Sequence, residues 1–248
     1  MTQYPKVLII IVTWNKQKYI IDLLGSLGRL HYAEEKTDIV VVDNASTDDT
    51  VALIRRDFPR VKLIVNSENL GGTGGFNTGL SYAFDQPDGR YDYLWLLDND
   101  VLVHPDALLE LVTILEREPD IAVAGSTMMQ LDRPWRINEM GSGVDLERGR
   151  LLHNLHLEDV EELKGKSVQE MQQEKIDLSE LLRQDRSWMD VEYVAAASLV
   201  IRASVARKAG LWEDYFIHYD DVEWCLRIAR MGYGIVVSAR SLIWHVSA

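Results

Sequence analysis

The chain is poor in cysteine. Among its 248 residues there is one, Cys225, which excludes an intramolecular disulfide and a cysteine-built metal centre. It is also poor in positive charge: 26 lysines and arginines stand against 39 aspartates and glutamates, a formal net charge of −13. That balance argues against general affinity for nucleic acid or an anionic lipid surface. No apolar run approaches the roughly 20 residues that cross a bilayer. No signal-peptide pattern opens the chain, because the first apolar run begins at Val7 and reads as a strand. We therefore expect no transmembrane segment and a cytoplasmic location, peripheral at most to the inner face of a membrane. Two phosphate-binding templates are missing as well. There is no G-x-x-x-x-G-K-[ST], and the one glycine-rich stretch breaks G-x-G-x-x-G because Asn77 falls where the third glycine should stand.

What is present points to an α/β chain. With 47% hydrophobic residues it can build a sizeable core, and strand and helix patterns alternate through the first half. Val7-Leu8-Ile9-Ile10-Ile11-Val12 is an uninterrupted apolar run, as in a central parallel strand covered on both faces. Asn15 is placed to cap the helix that follows, whose Tyr19, Ile20, Leu23, Leu24 and Leu27 recur at helical spacing. A second strand, 39–42, ends in Asp43-Asn44, and Ser46 with Asp49 has the spacing of a capping box. A third strand, 61–65, runs into Asn66. In an open parallel sheet the ligand crevice lies at such carboxyl ends.

The stretch Asn69-Leu70-Gly71-Gly72-Thr73-Gly74-Gly75 then precedes a helix through Leu80. We read it as a loop whose glycines let the main chain approach a ligand; the plainer alternative is that they pack the helix against its neighbour. Next, Leu94-Trp95-Leu96-Leu97 ends abruptly in Asp98-Asn99-Asp100. Side chains alternate along a strand, so the two carboxylates emerge on one side of its end. Hard oxygen ligands on a rigid support suit a Mg²⁺ or Mn²⁺ ion that keeps other positions for phosphate and water.

The second half is read more coarsely. Turns are expected around Gly141-Ser142-Gly143 and Arg148-Gly149-Arg150, followed by a polar, acidic segment at about 155–187, helical in pieces. Ser167 with Glu170, and Asp177 with Glu180, are spaced as helix starts. We expect a solvated helical pair lying over the active face. An apolar strand follows at 191–201, with small residues at its centre. A short helix from Ser204 ends at Gly210, and a helix from Asp220 to Met231 opens with Asp220, Asp221 and Glu223. A last strand begins at Gly234 and ends at Trp244-His245. The chain stops three residues later, from which we expect a natural C-terminal continuation.

Taken together, several stretches resemble the inverting family 2 glycosyltransferases of GT-A fold, in the rhamnosyltransferase and galactofuranosyltransferase branch. They are Val12-Thr13-Trp14-Asn15, Val41-Val42-Asp43-Asn44, the Gly-Gly-Thr-Gly-Gly-Phe-Asn stretch, Leu97-Asp98-Asn99-Asp100 and Asp221-Val222-Glu223-Trp224-Cys225-Leu226-Arg227. The resemblance implies a Rossmann-like, mostly parallel sheet flanked by helices, in one domain with a donor half at 1–127 and an acceptor-side half at 128–248. It implies that Thr13, Asn15 and Asp43 hold the base and ribose of a UDP- or dTDP-linked sugar. Asn69, Gly74 and Asn99 would lie close to that donor. Asp98 and Asp100 would carry a Mn²⁺ or Mg²⁺ ion completed by His245, and the histidine tilts the preference toward Mn²⁺. Asp221 is expected to be the general base, with Asp220 as its neighbour and rival. The acceptor would be a hydroxyl of a bacterial surface glycan, lipid-linked or free. Two departures stand out: the middle residue of the acidic triplet is Asn99, and His218 stands where many relatives carry an acid. Two other functions compete. A sugar nucleotidyltransferase would carry a glycine-rich loop after the first strand, where Thr13-Trp14-Asn15 stands, and a non-catalytic sugar-binding protein would tolerate loss of an acid, yet none is lost.

Overall fold

A computed structural model describes residues 4–246. The first half alternates strand and helix: β1 (Val7–Thr13), α1 (Gln17–Leu27), β2 (Thr37–Asp43), α2 (Thr50–Asp57), β3 (Lys62–Val65), α3 (Gly71–Phe84) and β4 (Tyr93–Asp98). β5 (Val101–Val103), α4 (Ala107–Arg117) and β6 (Ile121–Gln130) follow, then β7 (Arg136–Glu139), the hairpin of β8 (Ser142–Asp145) and β9 (Arg150–His153), and β10 (Glu158–Asp159). The chain continues through α5 (Val168–Met171), β11 (Trp188–Asp190), β12 (Ser198–Arg202), α6 (Ala203–Ala209), α7 (Asp220–Arg230) and β13 (Gly234–His245).

β1 pairs in parallel with β2 on one side and β4 on the other, and β3 extends the parallel order beyond β2. Beyond β4 the sheet continues through antiparallel β12 to β6, and β13 runs parallel along β6. Burial follows the period-two alternation of β1. Leu8 and Ile10 face Phe76 and Leu80 of α3 within one core; Ile9 and Ile11 belong to a second core with α1 and α4. The sheet is thus covered on both faces, which is why β1 carries no polar residue before Thr13.

Several local expectations are corrected. The glycines after Leu70 form the first turns of α3 rather than a loop. A methyl group on Gly75 would collide with Val12, and one on Gly79 with Ile10. The glycines therefore let α3 lie close on β1, and this packing outweighs their poor helix propensity. Asn15 does not cap α1, whose first turn has no side-chain cap. Its Oδ1 accepts from the Thr47 amide at 2.7 Å, while its own amide donates to Ser46 Oγ at 2.9 Å. Ser46 is therefore engaged by the loop after β1, and the capping box with Asp49 does not form. The strand expected from residue 191 starts only at Ser198.

The 155–187 segment is helical in pieces, and the Ser167–Glu170 capping box is formed. It is not a solvated pair, however: Leu163, Met171, Ile176 and Leu178 are buried in the same core as α3 and α7. Its apolar residues are too widely spaced to make one amphipathic stripe, so only tertiary packing reveals them. Among the described residues no helix is long and apolar enough to cross a membrane.

Candidate active site

Three strand ends define the crevice. Register pairs Thr13 with Asp43 and Val12 with Asp98, so β1, β2 and β4 deliver these residues to one edge. Asn99 Nδ2 donates to Thr13 Oγ1 at 2.8 Å, tying the acidic turn to the end of β1. Asp43 is fully buried; its Oδ1 accepts from the Ser46 amide at 2.9 Å, and Oδ2 has no hydrogen-bond partner among the described residues. A buried carboxylate oxygen left unpaired is costly, and a ligand N–H beneath this loop would satisfy it.

The metal-ligating candidates converge through β13. Its antiparallel pairing with β5 sets His245 opposite Val101, immediately beyond Asp100. His245 Nε2 lies 3.2 Å from Asp100 Oδ1 and 3.8 Å from Asp98 Oδ2. One ligand atom from each of the three lies within 4.8 Å of the others. Two carboxylates and an imidazole, half-buried on rigid strand ends, fit a divalent cation of the Mn²⁺ or Mg²⁺ kind. Burial alone would lower the His245 pKa, but the hydrogen bonds and charges of Asp100 and Asp98 raise it to about 10. Burial would raise the Asp100 pKa, yet His245 and Lys16 hold it below the usual carboxylate range. A cation bound here must displace the imidazole proton. Lys16, not singled out from the sequence, places Nζ 3.6 Å from Asp100 Oδ2.

The acids of α7 are placed by a strained approach. Phe216, His218 and Tyr219 all adopt left-handed backbone conformations, with φ of 63°, 70° and 62°, which is costly for residues with side chains. Phe216 O accepts from the Thr73 amide at 3.1 Å. It lies so close over Gly71 (φ 71°) that a side chain there would strike it. Asp220 is buried and committed: Thr73 Oγ1 donates to its Oδ2 at 2.5 Å, and its Oδ1 accepts from the Asp221 amide at 3.1 Å. Asp221 accepts at Oδ2 from the Ala196 amide (3.1 Å) and the Tyr193 hydroxyl (3.2 Å), and at Oδ1 from the Val222 amide (2.9 Å). Burial lifts its pKa to about 7; the Ala196 amide opposes the shift, and the charges of Asp220 and Asp98 add to it.

Asn69 accepts from the Gly71 amide at 2.9 Å and so shapes the entry to α3. Gly74 lies within that helix against Leu70. Among the described residues, no hydrogen bond joins either of them to the acids. His218 is exposed in the loop before α7. Thr73, Tyr193 and the Ala196 amide escaped sequence reading, because each acts on a residue more than 20 positions away.

Comparison with known proteins decides the family. The sequence model described as Glycosyl transferase family 2 matches residues 8–162, more than half of the chain. The chain belongs to glycosyl transferase family 2. Among curated relatives, galactofuranosyltransferase GlfT2 of Mycolicibacterium smegmatis is 23% identical over 258 residues, covering 96% of this chain and 36% of GlfT2. The chain thus spans about a third of that relative's length. Among solved structures, GalNAc-T7 with UDP, GalNAc and Mn²⁺ superposes with a TM-score of 0.72 at 14% identity, covering all of this chain and 45% of that one. Staphylococcus aureus TarS 1–349 gives 0.64 at 16% identity, covering 97% and 60%. These likenesses show the GT-A glycosyltransferase fold, as expected from the resemblance.

Proposed function

We propose that the chain catalyses metal-dependent, inverting transfer of a sugar from a nucleoside-diphosphate donor to a hydroxyl of a bacterial surface glycan. The observation that carries this reading is the meeting of Asp98, Asp100 and His245 ligand atoms within 4.8 Å, at strand ends whose charge reaches Asp221. The unpaired Oδ2 of Asp43 suits the imide N–H of uracil or thymine, with Thr13 and Asn15 beside the base and ribose. Asp98, Asp100 and His245 would hold the Mn²⁺ or Mg²⁺ ion. When bound, that ion neutralises the charge that develops on the departing diphosphate. Asp221 takes the proton of the acceptor hydroxyl, while Asp220, held by Thr73, fixes the first turn of α7. With one base and no covalent partner, a single displacement inverts the anomeric carbon.

GlfT2, a relative matching almost the whole chain, favours UDP-galactofuranose as donor, with dTDP-rhamnose second. The reaction belongs in the cytoplasm, at the inner membrane face if the acceptor is lipid-linked. The test is incubation with Mn²⁺, a simple glycan acceptor and a panel of UDP-, dTDP- and GDP-sugars. Release of nucleoside diphosphate from a UDP- or dTDP-sugar is expected. Pyrophosphate-dependent exchange instead would make the chain a nucleotidyltransferase, and binding without turnover would make it a sugar-nucleotide-binding protein.

A further inference from the structure

Tyr193 is a buried phenol that stands beside the proposed base without any part in the reaction as described so far. Its backbone is clamped: the Tyr193 amide donates to Ser142 O, and Tyr193 O accepts from the Ser142 amide, each at 3.0 Å. The hydroxyl therefore has little freedom, and it points at Asp221 Oδ2.

The lone pairs of Asp221 can be counted. Each carboxylate oxygen offers two acceptor sites. Both sites of Oδ2 are taken, one by the Tyr193 hydroxyl and one by the Ala196 amide. Oδ1 accepts from the Val222 amide and keeps one site open. Resting on the reading of Asp221 as general base, we propose that Tyr193 is the positioning residue for that base: together with the Ala196 amide it saturates Oδ2, so that Oδ1 is the atom that takes the acceptor's proton. In the transfer, the acceptor O–H bond breaks and its proton goes to Oδ1. The acceptor oxygen forms the new bond to the anomeric carbon. The sugar–phosphate C–O bond breaks, and its electron pair leaves with the nucleoside diphosphate.

The groups facing this carboxyl come from several elements: Asp220 on α7, Asp98 at the end of β4, and Tyr193, with Glu139 of β7 and Cys225 of α7 close enough for their charges to act on its phenol. Burial, followed by the charges of Asp221 and Glu139, pushes the phenol pKa well above its ordinary value. Tyr193 thus remains a donor across the working pH range.

The test is the pH profile of kcat/KM for nucleoside-diphosphate release at saturating Mn²⁺. In Tyr193→Phe the acidic limb should move up by about one pH unit, the size of one lost hydrogen bond to an ionised group. At a pH one unit below the wild-type limb the rate should then fall further, by up to about tenfold, while UDP affinity stays unchanged. Incorporation of 3-fluorotyrosine at position 193, which keeps the ring and strengthens the donor, should move the limb down. A purely structural role would lower the yield of active enzyme in both variants and leave the limb in place, and that result would overturn the proposal. Asp221→Asn separates the two readings. Wild-type turnover in that variant removes the base and the proposal together, whereas an inactive Asp221→Asn with an unmoved limb in Tyr193→Phe removes Tyr193 alone.

Discussion

The two sides of the crevice are built differently. On the proposed donor side, Thr13, Asp43 and Asp98 close parallel strands whose register is locked by buried apolar runs. A one-residue slip would send every side chain of a strand into the opposite core, so these residues are held by the whole sheet. On the proposed acceptor side, Asp220 and Asp221 follow three left-handed residues. They are held by single hydrogen bonds from Thr73, Tyr193 and Ala196. Rigid strand ends suit a cation that needs fixed ligands. The proposed base is carried at the start of α7, behind a loop, where function commonly resides.

This contrast can be broken at either side. The largest expected effect is that of Asp221→Asn: about 10²–10⁴-fold loss of kcat, with nucleotide binding and melting temperature preserved, read by nucleoside-diphosphate release and calorimetry. Retained turnover would place the base elsewhere. Asp100→Ala should cost about 10²–10³-fold, the scale for loss of one group that stabilises transition-state charge. It should also abolish the Mn²⁺-dependent thermal shift, which Asp221→Asn leaves intact; an unchanged Mn²⁺ response would remove Asp100 from the metal site. The smallest effect sharpens the contrast. Thr73→Val leaves Asp220 Oδ2 without its donor and should destabilise the fold by about 1–3 kcal/mol. Its loss of kcat should be several-fold, with UDP affinity unaltered. If UDP affinity fell as much as kcat, the two sides would not be separable in this way.

Much of the proposed donor side was legible in the sequence because its signals are local. An apolar run ending in Asp98-Asn99-Asp100 states both the strand and its exit. The glycine stretch misled for an equally physical reason. Glycine signals either backbone freedom or close approach, and only the contacts of Gly75 with Val12 and of Gly79 with Ile10 select close approach, in a helix. Asn15 and Ser46 carry the right chemistry for helix caps, yet each finds its partner in the loop after the neighbouring strand. The 155–187 segment reads as solvated because its buried residues are scattered among charged ones.

The sequence by itself determined the class of fold and the chemical types at the strand ends, since hydrophobic period and strand termination are written residue by residue. The resemblance also named His245 as a candidate ligand alongside Asp98 and Asp100. Only the tertiary structure decided that β13 sets His245 against Asp100, that Thr73 occupies Asp220, and that Tyr193 and Ala196 hold Asp221. Those contacts join residues far apart in the chain, and their free energies exist only once the sheet has brought the segments within hydrogen-bonding reach.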